Sequence, residues 1–336
     1  MADSINHRMI NLLTLKRNEL KLKEKQKIKK HFAAWLLLLL IGCLPFAAIA
    51  QTTDSSVFQL PVQMDEVTIT AARTGWDVGA FIRRVQTDTT FYKAFRSLHL
   101  VPYTSVNDIK ILDEKNGTKA SLYSRTKQHV QRGCRSMQVL EEKTTGDFYK
   151  RKHEYRYYTA ALYASLFFTQ DTVCGEDDIV AGKLGLHGKG QMEKNKAQLK
   201  QLIFNPGAHI QGVPFIGNKA AIFDPEVSKM YNFRLLSVAY DGEDCYLFQA
   251  LPKKEYVNDV VYNELSTWFR RTDYAIVARD YSLSYHTLLF DFDVRMKVRL
   301  ENINGKLLPS RIEYTGNWHV MTKGRERSVF IAKFSY

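Results

Sequence analysis

Period-two alternation dominates the last third of the chain. Val294, Met296, Val298 and Leu300 alternate with Arg295, Lys297, Arg299 and Glu301. Ile312, Tyr314, Trp318 and Val320 alternate with Arg311, Glu313, Thr315 and His319, and Tyr281, Leu283 and Tyr285 alternate with Ser282, Ser284 and His286. Strands with one apolar and one wet face belong to an antiparallel sheet covered on one side. Turn-forming residues at the joints, Asp241-Gly242, Arg271-Thr272-Asp273 and Asn304-Gly305, make this a meander of long strands.

Earlier in the chain the period changes. Asp77 is placed to cap a helix over Val78–Val85, and Asp88 a second over Thr89–Leu98. In the second, Phe91, Ala94, Phe95 and Leu98 recur at helical spacing and form a face to pack on the sheet. Asn116-Gly117, between Ile109–Leu112 and Ala120–Tyr123, is a hairpin turn. Tyr158 to Phe168 reads as either a helix or a buried strand. Gln170 to Gly190 is loop-like, Gln191 to Phe204 is helical, and Asp65–Thr70 is one edge strand. The expected class is α+β: a strongly curved antiparallel sheet, a half-barrel meander, with helices packed on the concave side. It occupies residues 76–336 as one domain, after a polar tether and short β segment at 51–75.

The N-terminal stretch changes the picture from fold to location. Nine basic residues between Arg8 and Lys30 precede an uncharged run from Phe32 to Ala50, closed by Ala48-Ile49-Ala50. That is the layout of a secretory signal over residues 1–50, with export of the chain from Gln51 onward. The run is 19 residues long, so a retained N-terminal anchor is the alternative; it leaves the domain on the same side of the membrane. A third reading takes Leu40-Ile41-Gly42-Cys43 as a lipidation signal, although the residues after Cys43 are apolar where a tether would be polar.

Net charge is +13, of which the leader holds +6; the remaining +7 is too dilute to indicate nucleic acid. Three cysteines lie beyond the leader, Cys134, Cys174 and Cys245, so at most one intrachain bridge forms and one thiol stays single.

No motif asks for catalysis. Gly182–Gly190 is glycine-rich and basic but lacks phosphate-loop spacing, and reads as a flexible loop. Ser282, Ser284 and His286 are spaced two apart on a strand, roughly 7 Å from one to the next, too far for a nucleophile–base hydrogen bond. Asp291 and Asp293 continue into Arg295, Lys297 and Arg299 along one face, a solvated charge ladder. His153-Glu154 lacks a second histidine for zinc. The expectation is a protein without catalytic residues, metal or cofactor.

The hairpin Ser266–Arg279, an aromatic strand, an Asp turn and a second strand, resembles a hairpin of the periplasmic lipoprotein carriers and receptors of the LolA/LolB kind, as does the whole pattern from 76 to 336. That resemblance implies a curved sheet, closed by helices, that shelters acyl chains of a lipid or lipoprotein. Phe290, Phe292, Val294, Met296, Val298, Tyr314 and Trp318 would line it, in the periplasm or at the periplasmic face of the outer membrane. Two other readings stand beside it. One is an envelope assembly protein with a closed core and a protein partner. The other is a small outer-membrane barrel, suggested by the C-terminal Phe330, Phe334 and Tyr336.

Overall fold

A computed structural model describes residues 67–69, 78–175, 204, 206–207, 219–286, 290–320 and 324–336. The leader, the tether, the glycine-rich loop and all but Phe204 of the helix expected over 191–204 lie outside the described residues. The strands are β1 (Val67–Ile69), β2 (Tyr103–Leu112), β3 (Thr118–Gln131), β4 (Cys134–Thr145), β5 (Thr172–Cys174) and β6 (Tyr231–Tyr240). They continue as β7 (Glu243–Pro252), β8 (Tyr262–Arg270), β9 (Ile276–His286), β10 (Phe290–Ile303), β11 (Lys306–Val320) and β12 (Gly324–Ser335). The helices are α1 (Val78–Thr87), α2 (Thr90–Leu98), α3 (Tyr158–Phe167) and the single turn α4 (Pro225–Ser228).

All twelve strands form one open sheet, in the order β1-β6-β7-β8-β9-β10-β11-β12-β2-β3-β4-β5. From β6 to β12 it is the expected meander, each strand antiparallel to the next. Strand β12 then pairs antiparallel with β2, which joins the meander to the β2–β5 strands inside the sheet. The short segment near residue 65 is indeed an edge strand, β1, and it runs parallel to β6.

The turns form as their residues dictate. Asn116, Asp241 and Asn304 adopt positive φ at the tips of β2–β3, β6–β7 and β10–β11. Asp113 Oδ1 accepts the amide hydrogens of Lys115 and Gly117, each at 2.8 Å, and fixes the first of these loops. Gly316 in β11 makes room for the Tyr314 side chain, which any Cβ at that position would strike.

Facing obeys the alternation. Val294, Met296, Val298, Leu300, Ile312, Tyr314 and Trp318 are buried, while Arg295, Lys297 and Glu301 are exposed. Twelve strands laid flat would span roughly 50 Å, whereas α1, α2 and α3, at 9 or 10 residues each, reach only about 15 Å. Inner residues are nonetheless buried from Phe233 in β6 to Leu122 in β3. The sheet is therefore curved, with the helices on its concave side. The register shifts between Arg299 and Leu300, Arg125 and Thr126, and Trp268 and Phe269 are bulge-type irregularities, which locally bend and twist strands.

Asp77, expected to cap the first helix, lies outside the described residues, and the expected Asp88 cap is shifted by one residue. Asp88 stands two residues before α2 and takes the amide of Thr90 at 3.0 Å and its hydroxyl at 2.8 Å. The ambiguous segment at 158–168 is a helix, α3. It is apolar all round, and Leu162, Tyr163, Leu166 and Phe167 are buried. Ser282, expected on the wet face, is only 6% exposed. Cys134 and Cys174 form the one bridge, pairing β4 with β5, and Cys245 is a buried thiol.

Candidate functional site

The concave face holds an apolar layer on one half and a polar cluster on the other. On β9 to β12 the inward positions are Tyr281, Leu283, Phe292, Val294, Met296, Val298, Ile312, Tyr314, Trp318 and Phe330. Register sets them side by side: Met296 lies between Tyr281 and Tyr314, and Val294 between Leu283 and Gly316. The aromatic rings interlock. Phe292 and Trp318 have centroids 4.9 Å apart, and Tyr314 stacks on Phe330 at 4.7 Å and 8°. Trp318 Nε1 donates to Tyr314 Oη at 2.5 Å and Tyr281 Oη to Met296 Sδ at 3.2 Å, which gives these polar tips partners inside an apolar layer. Burial pushes the Tyr281 and Tyr314 hydroxyls far above the ordinary phenol range, so both stay neutral. Six of the seven residues expected to line a ligand site thus sit together on adjacent strands; nothing is described of the Phe290 side chain.

The roof over this half is α2, whose buried face is the predicted one: Phe91, Ala94, Phe95 and Leu98. It lies against β11, and Phe91 also meets Tyr281 of β9 edge-on at 6.4 Å. Next to it, Phe81 of α1 packs on Phe269 at 5.3 Å and Tyr246 at 5.9 Å. Only Asp88 and Thr89 join the two helices.

The polar part is a cluster on β2 and β3, beside the inward apolar residues Ile109, Ile111, Ala120 and Leu122 of the same strands, and is fully hydrogen-bonded. Asn107 Nδ2 donates to Ser105 Oγ and Ser124 Oγ, Ser105 pairs with Thr126 at 2.8 Å, and Tyr163 Oη of α3 donates to Asn107 Oδ1 at 2.5 Å. Gln128 Nε2 reaches over to the carbonyls of Leu98 and Val101 at 2.7 and 2.8 Å, tying the end of α2 to the sheet. Every one of these groups is matched, so this cluster is a structural buttress.

Between the end of α1, residues 206, 207 and 223, and β8–β9 the packing leaves a cavity of about 40 Å³, lined by Val85, Gln86, Asp88, Pro206, Gly207, Phe223, Leu265, Thr267 and Arg279. Arg279 is the functional candidate that sequence reading passes over. It sits on the same strand face as Tyr281 and Leu283, two and four residues on, so alternation itself marks it as an inward cation. The outer-face groups behave as expected: Asp291 accepts from Arg325 Nη2 at 3.0 Å and meets His319 Nδ1 at 3.3 Å, and Asp293 is exposed.

No protein-family profile matches the chain, and no curated protein does. Solved structures do. A putative outer membrane lipoprotein-sorting protein domain from Vibrio parahaemolyticus is similar over 76% of this chain and 88% of its own, at 11% identity and a TM-score of 0.24. A LolA superfamily protein from Nitrosomonas europaea is similar over 74% and 91%, at 10% identity and a TM-score of 0.23. A DUF1329 family protein from Desulfovibrio piger is similar over 73% and 91%, at 12% identity and a TM-score of 0.21. Likenesses this remote assign no activity to this chain. Among the described residues, no helix is long and apolar enough to cross a membrane.

Proposed function

We propose that this is an exported, non-catalytic envelope protein that binds an apolar or lipidated ligand, such as an acyl chain, against the concave face of its sheet. The lining is Phe290, Phe292, Val294, Met296, Val298, Tyr314 and Trp318. The observation that carries the reading is the roof. A continuous apolar surface on β9 to β12 is covered by α2, a helix of nine residues. A helix of that length owes its order to packing rather than to its own propensity. An acyl chain offers the sheet the same apolar contact that Phe91, Phe95 and Leu98 offer it, so α2 can be exchanged for ligand at small net cost. The Cys134–Cys174 bridge suits an oxidising compartment outside the cytoplasm.

A second reading has its own observation. The six described lining residues are at most 5% exposed, as in the filled core of an assembly protein that uses only its outer surface. Native mass spectrometry of protein purified from its own envelope separates the two. Co-purified lipid, with uptake of a fluorescent fatty acid that is lost when Met296 and Val298 are replaced by larger side chains, supports the carrier. A ligand-free mass together with no uptake overturns it and leaves the assembly role.

A further inference from the structure

Arg279 is only 6% exposed, yet its charge has no ion-pair partner among the described residues. Its one hydrogen bond runs from Nε to Thr267 Oγ1 at 3.0 Å, and its guanidinium carbon lies 4.4 Å from the centre of the Phe91 ring. The terminal nitrogens, the two-pronged edge that matches a carboxylate, are left without acceptors there. Buried cations are almost always paired, because an unpaired one costs several kcal/mol. A second donor faces the same deficit: Gln86 Nε2, in α1, is buried and has no hydrogen-bond partner, and Gln86 lines the same cavity.

We propose that this cavity binds the carboxylate of a small anion or of an amphiphile, clamped by the Arg279 guanidinium with Gln86 Nε2 as the second donor. Size selects the class. A volume of about 40 Å³ holds a few water-sized groups, so it admits a carboxylate and excludes an acyl chain. Charge narrows it further. Asp88 lines the cavity too, but its oxygens accept from the Thr90 amide and hydroxyl at the start of α2, where helix amides offset its charge. It favours the charged form of Arg279 through space without a direct ion pair, and it disfavours a doubly charged phosphate over a singly charged carboxylate. Burial pulls the Arg279 guanidinium down to about 10, still cationic at neutral pH. Planar carboxylate is the natural complement of the guanidinium fork. Arg279 is also the cross-strand neighbour of Val298, so a carboxylate held here stands at the border of the apolar face.

The site stands on the cavity alone and does not depend on the carrier reading. Full-length protein would be titrated by calorimetry with acetate, butyrate, laurate and inorganic phosphate, in chloride at matched ionic strength. Carboxylates are expected to bind better than phosphate. Arg279→Gln should weaken them at least about tenfold, the worth of a charge-assisted pair. Gln86→Leu should weaken them less, and Asp88→Asn should strengthen them. Acetate and laurate both lost in Arg279→Gln support the site for either source. Acetate binding without laurate binding supports a small-anion site. Laurate uptake unchanged in Arg279→Gln, or no carboxylate effect beyond that of chloride, overturns it. Circular dichroism of each variant shows that it is folded, and Arg279→Lys, which keeps the charge and loses the fork, should recover only part of the affinity.

Discussion

A cation set among aromatic side chains makes Arg279 a liability for the folded state as well as a candidate ligand. Burial lowers its folded-state pKa from the ordinary guanidinium range to about 10, so folding must hold a charge where the charged form is disfavoured. The pH dependence has a definite sign. The penalty is complete below about pH 10, where both folded and unfolded chains are protonated, and it fades only as pH climbs from there toward the ordinary guanidinium range. Arg279→Met removes the charge, keeps most of the volume, and gives up the Thr267 hydrogen bond and the contact with Phe91. The expected result is a protein more stable by roughly 1–3 kcal/mol, with that gain constant between pH 6 and 9. Urea unfolding at several pH values measures it. A variant less stable than the parent would mean that the guanidinium is held by a partner of its own. A residue retained at a cost to stability is what a binding role leaves behind.

At the scale of the element, α3 depends on a side chain far away in sequence. Its first amides, those of Tyr158 and Thr159, each donate at 2.7 Å to the Glu326 carboxylate of β12. Thr159 Oγ1 adds a 2.9 Å contact with Ser328 Oγ. Glu326 thus supplies the negative cap that Tyr157, at the helix start, cannot. Glu326→Ala should destabilise the domain by about 1–3 kcal/mol, with hydrogen exchange fastest in the first turn of α3. Unchanged exchange there would refute the capping role. The same helix marks a boundary of what the amino-acid pattern discloses. The strands of the last third and their facings are readable, because burial on one side imposes a period of two. The hairpin at Asn116-Gly117 is readable from turn chemistry alone. By contrast, α3 is ambiguous because an all-round apolar helix carries no period to distinguish it from a buried strand. Ser282 reads as wet, since alternation tells which face a residue takes but not whether that face is covered. Arg279 is legible by the same alternation; a charge on the apolar parity is the signal to heed.

For the whole molecule, the features hidden from the sequence are long-range pairings. Joining β12 to β2 brings residue 334 beside residue 105, and no local period announces it. The bridge between Cys134 and Cys174 is another such link, because three cysteines allow three pairings. It holds β5, a strand of three residues paired with β4 only over Cys134–Ser136. So short a strand adds little pairing energy of its own and is retained by its tether. Closing a span of 40 residues removes unfolded-state entropy worth roughly 4 kcal/mol in the chain-entropy model. Reducing agent should therefore lower the denaturant midpoint of the parent protein, while Cys134→Ser should show the lowered midpoint at once and no further response to reductant. Because β5 caps the outer edge of the sheet beside the half that holds the polar, buttressing cluster, amide exchange should rise in β3 and β4 and stay unchanged in β9 to β11. Loosening of β9 to β11 on reduction would show that the two halves of the concave face are energetically continuous, against the division drawn from their hydrogen bonds.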